Sequence, residues 1–313
     1  MRKLRVSLIG LFFLTLLAAT AGYTYDRIAT SRDKVKYPQM GQLVDLGGYR
    51  LLLYCAGQGS PTVLLDGGAF DSLEQWSTVQ PQVAKFTRVC SYDRPGLGWS
   101  DPSPYPQTSQ QIATELHAAL TKRGIAGPFL PVGHSIAGLY ARVFAAQYRN
   151  QVTGLVLEDS VYPDEFKEFP SHFPNHPIIF AMLRLTAPLG SARLLHVGCR
   201  QTGARPDCSK FVVNLIKQVD VVNTSYAQAG ATGSLGALPV VVITHDPLVG
   251  LERVRDDKEE AAWTKWQIDL AHLSSNADLI VVQGVGHEIQ NEKPEIVVNV
   301  IERLVSQWRN VSQ

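Results

Sequence analysis

Phe129-Leu130-Pro131-Val132-Gly133-His134-Ser135-Ile136-Ala137-Gly138 is the stretch on which the fold turns. Residues 129–132 read as a short buried strand, and Leu139 to Tyr148 reads as a helix. A serine between strand and helix, with small residues two positions to either side, is the pattern of a nucleophile elbow. The turn is tight, and Cβ atoms at 133 and 137 would crowd the adjoining strand and helix, so Gly133 and Ala137 leave room. The pattern is Gly-x-Ser-x-Ala, one methyl from the commonest form. Taken alone, it is equally satisfied by a serine that caps the helix after it. The rest of the chain separates the two.

Around that stretch, strand and helix signals alternate. Gln42 to Leu46 and Tyr49 to Tyr54 flank Gly47-Gly48 and read as a β-hairpin. Thr62 to Leu65, Arg88 to Tyr92, Gly154 to Leu157, Pro239 to Thr244 and Asp278 to Val282 read as further strands. Helices are expected over Ser72 to Lys85, Thr108 to Arg123, Ala261 to Leu273 and Pro294 to Trp308. This alternation implies an α/β fold, a mostly parallel sheet covered by helices on both faces. Ligands in such sheets bind beyond the carboxyl ends of the strands. Residues 160–238 break the pattern with several prolines and helical patches, and a helical cap over the strand ends is expected there. The core is then 41–159 and 239–313.

The chain has 313 residues, enough for one large domain. Its net charge of +1 supplies no field for nucleic acid, and no basic stripe with interleaved aromatics is present. Arg2, Lys3 and Arg5 precede an apolar run from Val6 to Ala21, and Ala19-Thr20-Ala21 offers a cleavage site before Gly22. Residues 1–22 are therefore read as a signal peptide or an N-terminal membrane anchor, and 23–40 as a linker. Export, with a secreted, periplasmic or membrane-anchored product, is the expectation. Among the four cysteines, Cys199 and Cys208 suit a local loop staple worth about 2–3 kcal/mol on the chain-entropy model. Cys55 and Cys90 fall near the ends of two strands, as a bonded pair or as buried thiols. No cysteine or histidine spacing suggests a metal, and no cofactor motif is read.

An acyl-transfer serine needs a base. Gly284-Val285-Gly286-His287 directly follows the last strand and would present His287 over the sheet edge. The acid that orients His287 is either Asp159, at the end of the strand after the elbow helix, or Asp246, at the end of the next core strand. Asp246 lies only two residues past its strand, which favours Asp159. The oxyanion needs backbone donors, and Asp66-Gly67-Gly68-Ala69 is a glycine-rich loop after a strand. Gly68 and Ile136 are the expected N–H pair.

These segments together resemble the α/β-hydrolase fold superfamily over roughly residues 41–310. The matching text is Leu64-Leu65-Asp66-Gly67-Gly68, Tyr92-Asp93-Arg94-Pro95-Gly96-Leu97-Gly98-Trp99-Ser100, Gly133-His134-Ser135 and Gly286-His287. The resemblance implies an eight-stranded sheet in which the second and fourth strands are neighbours, so that Cys55 and Cys90 could meet. It also implies structural roles for Asp93 and Arg94. Position 66 departs from the superfamily's frequent His-Gly. Serine at the elbow argues against epoxide hydrolase and haloalkane dehalogenase relatives, which need aspartate there. The expected activity is cofactor-free hydrolysis of a small ester or related acyl compound through an acyl-enzyme. A non-catalytic exported binding protein and a peptidase or amidase relative are the alternatives.

Overall fold

The computed structural model describes residues 2–69, 71–169, 176–196, 206–249 and 256–312. Its centre is an eight-stranded sheet of β1 (Gln42–Asp45), β2 (Arg50–Ala56), β3 (Thr62–Asp66), β4 (Val89–Tyr92), β5 (Phe129–His134), β6 (Leu155–Glu158), β7 (Val240–Thr244) and β8 (Ala277–Val281). The spatial order is β1-β2-β4-β3-β5-β6-β7-β8. The first two strands form an antiparallel hairpin, β2 pairs antiparallel with β4, and every later pairing is parallel. The resemblance to the α/β-hydrolase fold therefore holds for the whole sheet. The parallel strands end on one edge, which places the residues after β3, β5, β6, β7 and β8 side by side.

Side-chain alternation along the strands builds two cores. Leu64 of β3 packs on one face with Ile112, Leu116 and Leu120 of α2 (Ser109–Lys122) and with Leu139, Val143 and Phe144 of α3 (Ala137–Gln147). Its neighbours Val63 and Leu65 point the other way, onto Trp76, Val79 and the terminal helix that begins at Pro294. Helix α2 starts where Thr108 Oγ1 accepts the Gln111 N–H at 3.3 Å, and it stops before Gly124, whose φ is +67°.

Three sequence expectations change. Residues 23–36 do not form a linker: they continue α1, which runs unbroken over Arg2–Lys36. Charges at Asp26, Arg27 and Arg32 end the apolar run in sequence, yet the helix continues through them, and Arg193 bonds Asp26 and Asp33 on it. The helix expected over Ser72 to Lys85 divides into a 3-10 turn, Leu73–Trp76, and a short α-helix, Gln80–Val83. Pro81 has no N–H to give to a preceding turn, so one continuous helix cannot pass through it. The last strand begins at Ala277 and ends at Val281.

Between β6 and β7, the described part of 160–238 contributes α4 (Pro177–Thr186), α5 (Ser191–Leu194) and α6 (Cys208–Gly230). Helix α6 is seated on the core by side chains. Lys210 Nζ donates to Gly98 O at 2.6 Å and Ser100 O at 2.9 Å, and Ser109 donates two hydrogen bonds to Ser225, from its N–H to the hydroxyl and from its hydroxyl to the carbonyl. Cys208 is disulfide-bonded, while its expected partner Cys199 lies outside the described residues.

Cys55 and Cys90 form a disulfide between directly opposed positions of β2 and β4, with Cα atoms 4.0 Å apart. The bridge closes a 35-residue separation, a loop whose constraint on the unfolded chain is worth about 3–4 kcal/mol. Replacing both cysteines by alanine should lower stability by about that amount, read as a lower urea midpoint. An unchanged midpoint would show that the bridge contributes nothing to stability.

Candidate active site

Strand β5 ends at His134 and α3 begins at Ala137, so Ser135 and Ile136 form the whole turn. Ser135 has φ +55°, a left-handed conformation that costs a residue with a Cβ roughly 1–2 kcal/mol. Neighbouring backbone holds it there. Its N–H donates to Glu158 O at 3.0 Å, and its carbonyl accepts from Gly138 and Val161. Gly133 is required by space, since a Cβ would lie 2.5 Å from Ala137 O. So is Gly138, where a Cβ would lie 2.2 Å from Ser160 Oγ, a constraint the sequence reading did not identify. The helix-capping alternative fails: Ile136 holds the cap position of α3, and no side chain caps it.

His287 follows β8, and its Nδ1 lies 2.6 Å from Asp159 Oδ2. Its side chain is one-third exposed, whereas that of Asp159 is completely buried. His134, the residue before Ser135, packs against it with ring centroids 4.6 Å apart and with His134 Nε2 3.0 Å from His287 O. The elbow and the histidine loop are thus in contact. Asp246, the competing acid, is occupied elsewhere. Its Oδ2 accepts the Gly284 N–H and its Oδ1 the Leu248 N–H, at 2.9 and 3.0 Å. These backbone bonds hold its pKa below the usual carboxylate value. Asp246 thereby ties the end of β7 to the loop that carries His287.

Asp159 gathers more donors than the sequence reading supplied. Thr244 Oγ1 at 2.9 Å, Trp263 Nε1 at 3.0 Å and the His245 N–H at 3.2 Å all reach its Oδ1. His245 Nδ1 lies 2.8 Å from both carboxylate oxygens. Burial pushes the Asp159 pKa upward, but hydrogen bonds from His245 and His287 outweigh it and hold the group well below its ordinary value. The other ring nitrogen of His245 faces Glu260 on α7 (Asp257–Ala271), at 3.1 Å. An imidazole with a carboxylate at each nitrogen must donate from both, so His245 is an imidazolium. Burial opposes that charge; the bonds to Asp159 and Glu260 overcome it and raise the pKa to about 9. Sequence reasoning passed over His245, Glu260 and Trp263. The only available signal was a histidine beside a strand end.

The loop after β3 is organised by a buried guanidinium. Arg94 bonds Asp66 Oδ1, Gly67 O and Gly68 O. Asp93 accepts the N–H groups of Leu73 and Trp99, so both residues are structural. The Gly68 N–H expected to receive an oxyanion instead donates to Gln75 Oε1 at 2.9 Å. Gln75 in turn places Nε2 3.0 Å from His134 Nδ1 and 3.2 Å from Glu288 Oε2. His134 accepts from Gln75 and donates to His287 O, which fixes its tautomer. Burial, together with the neighbouring His287, lowers its pKa to about 4.

A sequence model of the Alpha/beta hydrolase family matches residues 59–300. The chain belongs to that family. An AB hydrolase superfamily protein of Gibberella zeae is 30% identical over 280 residues, 78% of this chain and 86% of that protein. An uncharacterized protein of Schizosaccharomyces pombe is 33% identical over 166 residues, 53% of this chain and 30% of that protein. The chain thus spans about a third or less of the length of the first curated relatives it matches. The enol-lactonase from Burkholderia xenovorans superposes with a TM-score of 0.58 at 16% identity, covering 85% of this chain and all of that one. This last likeness concerns the fold.

Within this alpha/beta hydrolase, His134, His287 and Glu288 place possible ligand atoms within 4.8 Å of one another. Three of the four imidazole nitrogens are already hydrogen-bonded, to Gln75, His287 O and Asp159. Among the described residues the cluster therefore reads as a hydrogen-bonded relay.

The imidazolium predicts a pH-dependent stability. The folded pKa of His245, about 9, lies above its ordinary 6.5. Its contribution is complete below pH 6.5 and is lost as the pH rises through 9. Thermal melting should fall across that window. His245→Gln should melt lower at pH 6 and show a flatter decline towards pH 9. A variant with the same slope as the parent would mean that His245 is neutral.

Proposed function

We propose that this alpha/beta hydrolase is a serine hydrolase that cleaves a small ester or related acyl substrate through an acyl-enzyme. The observation that carries the reading is the 2.6 Å contact of His287 Nδ1 with a fully buried carboxylate, on a histidine loop packed against the serine elbow. Ser135 is the nucleophile, His287 the general base and then acid, and Asp159 the orienting acid. With Nδ1–H held by Asp159, the free imidazole presents Nε2 as the proton acceptor. Ser135 Oγ attacks the acyl carbon while its proton passes to Nε2. The proton then goes to the leaving group, whose bond to the acyl carbon breaks. Water, activated in the same way, releases the acid and restores the serine.

Ile136 N–H, first in the turn after Ser135, is the leading oxyanion donor. Gly68 N–H joins it when Gln75 Oε1 yields its place to the substrate oxygen. Preorganised donors of this kind contribute on the order of 3 kcal/mol each. Residues 160–238 act as the cap and select the acyl group, and residues 1–22 direct the chain to export or to a membrane.

A fluorophosphonate should label the folded chain and fail on Ser135→Ala. Equal labelling of that variant would remove the serine from the chemistry. On p-nitrophenyl esters, Asp159→Asn should lower kcat by about 10⁴-fold, and Asp246→Asn should cost far less. The reverse ranking would transfer the acid to Asp246.

A further inference from the structure

Helix α4 is apolar on two sides. Phe180 and Leu183 face inward, onto Leu97, Phe211 and Ile216. Ile178, Met182, Leu185 and, just beyond the helix, Leu189 are spaced four, three and four apart, which lines them up on one outer stripe. Ile178 and Leu185 are each 76% exposed. Leu194 and Leu195, at the end of α5, extend the apolar surface and are also more than half exposed. A helix with apolar residues on opposite sides needs a second apolar phase.

What that phase is follows from the position of α1. Residues 6–25 contain no charged side chain. As helix they span about 30 Å, the thickness of a bilayer's hydrocarbon core. From Leu8 onward α1 is long and apolar enough to cross a membrane, and its apolar window is not buried in the protein. The apolar stretch closes on Tyr23 and Tyr25, residues of the kind that settle at the lipid–water boundary. At this level α1 meets the insertion. A Cβ on Gly22 would lie 2.2 Å from Leu189 O, and one on Gly190 2.5 Å from Gly22 O, so the two backbones touch. One turn further on, polar clamping begins. Arg193 Nε lies 3.2 Å from Asp26, its Nη1 2.6 Å from Asp33 and its Nη2 3.3 Å from Thr30 Oγ1. The contact thus sits where the helix changes from apolar to charged, with the α4–α5 stripe immediately beside it.

We infer that the outer face of α4 and α5 docks on the lipid bilayer that α1 enters, with Ile178, Met182, Leu185, Leu189, Leu194 and Leu195 in the acyl–headgroup boundary. Arg184, the charged residue of α4, is drawn off the stripe by its pairing with Asp220 of α6. The helix lies in the interface as amphipathic anchors do, but its second apolar face binds the protein. The insertion is then held at the membrane twice, through the foot of α1 and through α4. This inference does not rest on the proposed chemistry, and its test does not measure activity.

The native methionines report on it without mutation. Met182 is 61% exposed on the stripe, and Met40 is 41% exposed beyond the far end of α1. The full chain is reconstituted in phosphatidylcholine vesicles and treated with radiolytic hydroxyl radicals formed on both sides of the bilayer. Peptide mass spectrometry then gives the sulfoxide at each site. Met182 should oxidise at least threefold more slowly than Met40, despite its greater exposure, and this ratio should not change when the lipid-to-protein ratio is raised tenfold. Equal or faster oxidation of Met182 overturns the proposal. Protection that fades on dilution into lipid also overturns it, because a second copy of the chain would then be the cover. As an independent measurement, fluorescence from Leu185→Trp should be quenched by lipids with brominated acyl chains beyond the parent level. Ile268→Trp, on α7, should not be. Quenching no greater at 185 than at 268 rejects the bilayer as the partner.

Discussion

The site depends on keeping one carboxylate charged inside the protein. Asp159 is fully buried, where an isolated charge would cost several kcal/mol. Side chains from the end of β7, from α7 and from the loop after β8 therefore converge on it. None of these contacts is local in sequence. Together they fix the angle at which β6, β7 and β8 present their ends, and His287 is oriented as one of several donors. His245 also changes the electrostatics, because a cation clasped by Glu260 neutralises part of the charge that His287 meets.

Glu158 sharpens the contrast. It is adjacent to Asp159 in the chain and equally buried, yet no side chain among the described residues hydrogen-bonds its carboxyl group, and only the Gln290 backbone N–H approaches it. Burial raises its pKa well above the usual value. Burial therefore shifts the last residue of β6 towards its neutral form, whereas hydrogen bonds shift the next one towards its anion. The difference comes from the partners: the Asp159 carboxylate receives Thr244, His245, Trp263 and His287.

How much of this was legible depended on the range of the signal. Ser135 was legible because its turn imposes steric demands two and three residues away. The sheet was legible because strand and helix periods differ. His287 followed from glycines around a histidine after a strand. Two aspartates, each ending a strand, look alike in sequence, and only the register of neighbouring strands decides which one faces His287. His245, Gln75 and Glu260 left no local pattern, since their roles arise from contacts made across 59, 15 or 86 positions. The engaged amide of Gly68 was hidden for the same reason. Residues 23–36 were misread because charge suggested a solvated tether, whereas Asp26 and Asp33 are bound by a distant arginine.

The order of the strands has a kinetic corollary. The site draws on positions 66–68, 135, 159, 245 and 287, and β6 finds β7 only after the intervening insertion has been synthesised. Pairings so remote in sequence are slow to form, because chain entropy is lost before contacts compensate for it. The amino-terminal half can collapse early around β1–β5, already holding its serine. It cannot complete the cluster around Asp159 until the last third arrives, and a nascent chain therefore holds Ser135 without His287 for about half of its synthesis.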